Sequence, residues 1–327
     1  MGDPIPLSVS PSEDEGTGGA QSRPDGSSRF ARTSPSSSLG ETETLAQLVR
    51  AELVLPVDPR VAAMAAAIAA HYPGSARGVL FYGSCLRETC LDGLMLDFYL
   101  IVSDYGDAYE KRWLSLANRL IPPNVFPFEY HGLIAKYAVL SESDFDRLSG
   151  PETRNVSVWA RFAQPARLVW AVDDTARDRA VAAVARAAPT LLAAAGRVEG
   201  EAPLDWWRRA FSLTYSVELR AERTNRAQSV VDADPERYRR FSEPAIAAIP
   251  AGAASGGWTR RRIEGKLLSI VRLAKASLTY AGGIDYLAWK INRHAGTRIE
   301  IKPWQRRWPL LAALTLVPRL MRSGAIR

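Results

Sequence analysis

Apolar and polar positions alternate along this chain in punctuated blocks, and the clearest block lies between Gly78 and Asp104. An apolar run, Val79-Leu80-Phe81-Tyr82, stops at Gly83-Ser84. Thirteen residues after Gly83 a second run, Leu96 to Val102, begins, with Asp97 as its one acid. Short apolar runs bounded by Gly and polar residues read as buried strands. The block therefore predicts a strand, a Gly-Ser turn, a connecting segment and a second strand with an inward carboxylate.

The flanking pattern supplies more elements. Thr44 to Val54 predicts a helix with Leu45, Leu48 and Val49 on one face, and Pro59 to His71 predicts an Ala-rich helix. Ala108 to Leu120 reads as a helix that Pro122-Pro123 ends. Val125 to Tyr130 and Leu133 to Leu140 read as strands joined at His131-Gly132 like a hairpin. At least four strands with helices between them make an α/β or α+β core of roughly one hundred residues.

From Ser141 onward the texture is helical, with apolar residues at helical spacing in Asp144 to Leu148, Asp178 to Ala195 and Pro203 to Ala227. Pro235 to Phe241 reads as charged and exposed, and Ala248 to Gly257 as a small-residue linker. Arg261 to Tyr280 predicts a helix carrying Ile263, Leu267, Ile270, Val271, Ala274 and Leu278, with Arg262, Lys266, Arg272 and Lys275 on its other faces. Residues 1–44, rich in Ser, Gly, Pro and acids, hold too little apolar surface to offset ordering entropy, so disorder is expected there. The expected division is a disordered segment 1–44, a first domain 45–145, a mainly helical domain 146–252 and a basic helical region 253–327.

Composition narrows the class. A chain of 327 residues with 47% hydrophobic content and nine Trp is globular. Two cysteines, Cys85 and Cys90, are too few for a disulfide framework or a zinc site and read as reduced cytoplasmic thiols. The abundance of Ala and Arg suggests a GC-rich bacterial source. Net charge is +7, unevenly spread: from Gly257 onward fifteen Lys or Arg face three acids, a balance of +12, so the preceding part sums to −5. Interleaved with the basic residues are Trp258, Tyr280, Tyr286, Trp289, Trp304 and Trp308. That mixture suits an anionic lipid interface or stacked nucleic-acid bases, and a solvated basic face is the plain alternative. The longest apolar stretch near the end, Trp308 to Met321, is broken by Pro309, Pro318 and Arg319, so no spanning helix is expected. Acids at Asp3, Glu13, Asp14 and Glu15 argue against a signal peptide.

The strand–Gly-Ser–strand block also carries chemistry. A Gly-Ser turn lets backbone N–H groups approach a triphosphate and can open a helix whose positive end favours phosphate. An aspartate on the next strand can hold a divalent metal against the same phosphates. These are the parts of a nucleotidyltransferase, although a turn and a buried capping Asp give the same pattern. The polymerase-type Asp-x-Asp is incomplete, because Tyr99 takes the second place. Lys136, midway along an apolar strand, needs an anionic partner or marks a protected edge strand. Arg161, two places after Trp159, has the fork geometry that clamps phosphate.

Five pieces occur in an ordered series: YGSCLRE with LMLDFYLIV, PPNVF, LIAKYAVLSESDFDRL, SVWARFAQPARLV and LTYSVELRAE. From about Leu80 to Tyr238 they resemble the mitochondrial-type CDP-diacylglycerol synthases, the translocator assembly and maintenance family of soluble phosphatidate cytidylyltransferases. There the pieces read approximately YGSG, MLDF, LIKYGVIS, AGRLxKPV and LSYxGDxRM. That family also lacks the second Asp of Asp-x-Asp. The resemblance implies a polymerase-β-like nucleotidyltransferase core, then a helical, winged-helix-like domain. It makes Asp97 a metal ligand with Asp104 a weaker candidate, and places Glu218 and Arg220 where the family has Asp and Arg. Tyr82, Gly83, Ser84 and Lys136 would contact nucleotide, and Arg161, Arg220 and Lys275 phosphate. Val217 replaces a family Gly and Gln164 a family Lys. The implied activity joins CTP and phosphatidic acid with Mg²⁺ at an anionic membrane surface, at the cytoplasmic face of a bacterial inner membrane and without nucleic acid. Two alternatives stay open: a nucleotidyltransferase with a small-molecule or RNA acceptor, and a degenerate, non-catalytic fold that binds membrane or nucleic acid through its basic tail.

Overall fold

The chain closes one mixed sheet from β1 (Ala76–Tyr82), β2 (Met95–Val102), β3 (Asn124–Tyr130), β4 (Leu133–Ser141) and β5 (Ala166–Ala171), in the order β3-β4-β2-β1-β5. The computed structural model describes residues 43–88, 90–217, 230–279 and 302–303. Strands β2 and β4 run parallel, and the other neighbours are antiparallel. The hairpin turns where expected. His131 and Gly132 both have positive φ, 47° and 78°, as a two-residue hairpin loop of the primed type requires. The expected disordered segment lies outside the described residues up to 42. Thr44 is already the N-cap of α1 (Leu45–Leu53), with a reciprocal capping box to Gln47.

Strand alternation sorts the sheet into two apolar layers. Leu96, Phe98, Leu100 and Val102 face α2 (Pro59–Ala70), which buries Val61, Met64, Ala65 and Ile68 against them. Tyr99 and Ile101 face the other way, into a larger core built with α1, α5 (Glu142–Ser149), α6 (Trp159–Phe162), α7 (Asp174–Ala185), α8 (Ala187–Ala195), α9 (Pro203–Tyr215) and α10 (Pro235–Ala247). The two faces are thus covered by helices, and the class is mixed α+β.

Several expectations are revised. The helix expected over Ala108 to Leu120 is two, α3 (Tyr105–Ala108) and α4 (Arg112–Leu120). The helix expected over Asp178 to Ala195 starts earlier and breaks at Arg186, because Pro189 cannot donate to the carbonyl four residues back. The stretch from Pro235 to Phe241 is exposed on one face only: Glu236, Arg239 and Arg240 are exposed, whereas Arg237, Tyr238 and Phe241 are buried, and Glu52 of α1 supplies the counter-charge to Arg237 through a two-pronged contact. Strand β5 was not expected. It lies in the segment assigned to the helical domain, yet it pairs with β1, so the sheet draws on both sides of residue 145. Among the described residues of 146–252 it is the one strand, and it forms no wing. The C-terminal helix α11 (Trp258–Thr279) starts three residues before the expected Arg261.

Candidate active site

Strand β1 delivers Tyr82 and Gly83 to the end of the sheet where β2 begins. Tyr82 pairs with Asp97, and in the next register Asp97 pairs with Lys136. By alternation Tyr82, Asp97, Tyr99, Lys136 and Ala138 share the face that points into the larger helical layer. The Lys136 ammonium lies 3.0 Å from Asp97 Oδ1, with about a quarter of the Asp97 side chain and a third of the Lys136 side chain exposed. Oδ1 itself is buried and receives no well-directed hydrogen bond from the described residues, among which the ion pair is its compensation.

Gly83 has φ 96° and ψ −166°, a region essentially reserved for glycine. A Cβ placed there would stand 3.4 Å from Asp97 Oδ2, in van der Waals contact, so the turn lies directly against that carboxylate. The expected helix after Gly-Ser is shorter than the sequence implies. Ser84 is exposed and opens only a four-residue 3₁₀ turn, Ser84–Arg87, because the chain turns extended at Glu88. Any phosphate there would meet turn N–H groups, without the dipole of a long helix. Cys85 in this turn is buried against the Met95 carbonyl, and burial with the nearby Asp97 charge pushes its thiol pKa up. Cys85 and Cys90 are both free thiols.

Above this face is a cavity of about 160 Å³ lined by Tyr82, Tyr99, Lys136, Arg161, Arg272 and Lys275, with Ser157 and the apolar Phe98, Pro123, Val125 and Ala138 in the rest of the wall. Among the described residues, four basic side chains line it and no acidic one does. Asp97 lies behind Lys136 as its partner. Arg161, on α6, donates to the Ser157 carbonyl. Arg272 donates from Nε to the Pro122 carbonyl at 2.9 Å and from Nη1 to Ser157 Oγ at 2.8 Å. Lys275 is buried and donates to the Ile121 carbonyl. Burial and the neighbouring Arg272 push its pKa down to about 7.

The sequence candidates therefore converge in part. Tyr82, Lys136, Arg161 and Lys275 line one cavity, and Gly83 and Asp97 adjoin it. Glu218 and Arg220 lie outside the described residues. Asp104 does not belong to the site: from Asp97 to the end of β2 at Val102 is five strand residues, roughly 17 Å, and Asp104 lies two residues beyond that end. It caps α3 through the Gly106 N–H and pairs with Arg119 at 2.7 Å, both of which hold its carboxyl below the ordinary range. Gln164 donates to the Ala160 carbonyl at 2.9 Å and is not part of the cavity wall. Val217 is buried, and α11 approaches it closely at Gly265. Arg272 was missed as a site residue. Its signal was its place three residues before Lys275, which puts both on one helix face.

A divalent metal fits this donor set within limits. Among the described residues no group of three or more His, Cys, Asp or Glu is gathered. Mg²⁺ is commonly held by one or two carboxylates together with water and substrate phosphates. Asp97, with a buried oxygen that lacks a directed donor among the described residues and with a glycine beside its other oxygen, meets that requirement as one ligand. No protein-family model and no curated protein matches the chain, so the chemistry of these residues carries the functional conclusion.

Proposed function

We propose that this protein is a CTP:phosphatidate cytidylyltransferase with a polymerase-β-like nucleotidyltransferase core, acting with Mg²⁺ on phosphatidic acid at a membrane surface. One observation carries the reading: the Gly83 turn, the Asp97–Lys136 pair and a cavity with four basic side chains adjoin on one sheet face. In this reaction an oxygen of the acceptor phosphate bonds to the α-phosphorus of CTP. The bond from that phosphorus to its bridging oxygen breaks, and pyrophosphate leaves with the electron pair. Both reactants are anionic, so the protein's task is to gather and neutralise charge more than to supply a strong base.

Asp97, with Glu218 as the second candidate, would hold the metal, which supplies charge neutralisation at the phosphates. Lys136 would then exchange Asp97 for a nucleotide phosphate, and the Gly83-Ser84 backbone and Tyr82 would border the triphosphate. Arg161 and Lys275 offer further cationic contacts, with Arg220 the other sequence candidate. Peripheral attachment to an anionic membrane, at the cytoplasmic face of a bacterial inner membrane, is supported by two exposed apolar stripes. They are Ile263, Leu267 and Val271 on α11, and Trp113, Leu116 and Leu120 on α4. Arg262 and Lys266 stand beside the first, and no helix among the described residues is long and apolar enough to cross a membrane. The Lys136 contact that occupies Asp97 favours a second reading, a degenerate fold that binds membrane without catalysis.

Pyrophosphate release by the full chain with Mg²⁺, CTP and phosphatidic acid in mixed micelles tests the proposal. The expected result is release that needs both substrates, is weak with ATP, GTP or UTP, and is lost in Asp97→Ala. Release with CTP and an acceptor other than phosphatidic acid would replace the lipid assignment. No release with any nucleotide from a folded protein that binds vesicles would transfer the conclusion to the non-catalytic reading.

A further inference from the structure

The wall of the cavity farthest along β3 from Lys136 comes from α11, and its anchorage is specific. The carbonyls of Ile121 and Pro122 are taken by Lys275 and Arg272, one each. Ser157 ties two cations together, its carbonyl accepting from Arg161 and its hydroxyl from Arg272. A carbonyl orients an ammonium without neutralising it, and Lys275 is only 7% exposed. A buried ammonium held only by a neutral acceptor gives up its proton readily, and an anion that completed its shell would hold the proton there.

Strand register gives the cavity two ends. Lys136 pairs with Asp97 on one side and Pro127 on the other, whereas Val139 pairs with Asn124. Asn124, where β3 begins, lies three strand residues, roughly 10 Å, along the sheet from the Lys136 register, and the Ile121–Pro122 anchors come just before it in the chain. That separation accommodates two anionic groups held apart.

We propose that Arg272 and Lys275 form a second phosphate subsite, separate from the Asp97–Lys136 end, that selects an acceptor bearing a phosphate monoester. The proposal rests on the nucleotidyl-transfer reading for the word acceptor, and on geometry alone for the subsite. The nucleotide triphosphate takes the Gly83–Asp97–Lys136 end. The monoester takes the α11 end, on the helix whose outer face carries Ile263, Leu267 and Val271.

Steady-state pyrophosphate release by the full chain, with each substrate varied in turn, is the first test. In Arg272→Gln and Lys275→Gln the acceptor KM should rise about tenfold or more while the CTP KM stays within about twofold, since a charged hydrogen bond is lost at one end only. Lys275→Arg should recover most of the loss. Equal rises in both KM values, or a loss that follows only a falling melting temperature, would reduce the pair to a clamp on the Pro-Pro turn. If the protein shows no turnover, calorimetric titration with glycerol 3-phosphate and short-chain phosphatidate decides. Binding weakened about tenfold in Lys275→Gln upholds the subsite without the reaction. Equal binding in both proteins, or none to the parent, overturns it. Tighter binding of phosphatidate than of glycerol 3-phosphate identifies a lipid headgroup, and equal binding identifies a free phosphate ester, each upholding the subsite.

Discussion

Gly83 and Asp97 constrain each other, and that constraint has a measurable cost if broken. The backbone at Gly83 lies where an L side chain costs of order 1–3 kcal/mol, and its Cβ would come into van der Waals contact with Asp97 Oδ2. Gly83→Ala should therefore lower the melting temperature by that stability and reduce nucleotide affinity further, because the added methyl stands against the carboxylate. Thermal unfolding with nucleotide binding checks this; an unchanged melting temperature would show that the turn does not need glycine. Lys275 gives a second prediction at this scale. Its folded pKa is about 7, below the ordinary lysine value of about 10.4. Between those values the unfolded chain holds a proton that the folded chain has lost, so this group's contribution to stability rises with pH across the window. Anion binding has the opposite slope, because a bound dianion favours the ammonium. Sulfate, whose charge is constant in this range, should bind more weakly as pH rises above 7. Arg272, Arg161 and Lys136 also border the cavity, and Lys275→Arg, charged throughout, should flatten the slope. Calorimetry across pH reads both.

Elements whose signals are local were legible in the sequence, and those fixed by distant partners were not. The Thr44 cap, Pro at the start of α2 and the His131-Gly132 turn each act within a few residues, so the helices and the hairpin stand where expected. Strand β5 is interrupted by Arg167, has no glycine punctuation and owes its existence to β1. The burial of α10 depends on Glu52, 185 residues before its partner Arg237. Removing one member of a buried pair leaves the other uncompensated, so Glu52→Gln should cost about 3–5 kcal/mol in a denaturant titration. The same logic separated the site: Gly83, Asp97 and Lys136 were visible as motifs, while Arg272 became meaningful only when α11 met the Ile121–Pro122 carbonyls. The seat of α11 has its own test. A Cβ on Gly265 would collide with Val217 Cγ1 and come within 2.8 Å of the Val217 carbonyl oxygen. Gly265→Ala should destabilise by about 1–3 kcal/mol, and Val217→Ala should relieve it only in part because the backbone oxygen remains.

At the scale of the whole molecule, charge and exposed apolar surface coincide on α11. Two partners suit the basic residues, a lipid surface and a nucleic acid, and the apolar stripe distinguishes them. Ile263 and Leu267 are each 59% exposed, so replacing both with Ser leaves the core intact. On a bilayer each apolar side chain contributes about 1.5–3 kcal/mol when fully buried, and each nearby cation about 1 kcal/mol. The double variant should therefore lose vesicle binding by about a hundredfold or more, measured by sedimentation with phosphatidate-containing vesicles. Raised salt should weaken what remains, since the remaining attraction is electrostatic. Nucleic-acid binding driven by phosphate contacts would fall with salt in both proteins and ignore the Ser substitutions. Vesicle binding that is equal in parent and variant would mean that this helix face does not enter the membrane. The lipid acceptor would then have to reach the cavity by another face, with the stripe of Trp113, Leu116 and Leu120 on α4 the next to substitute.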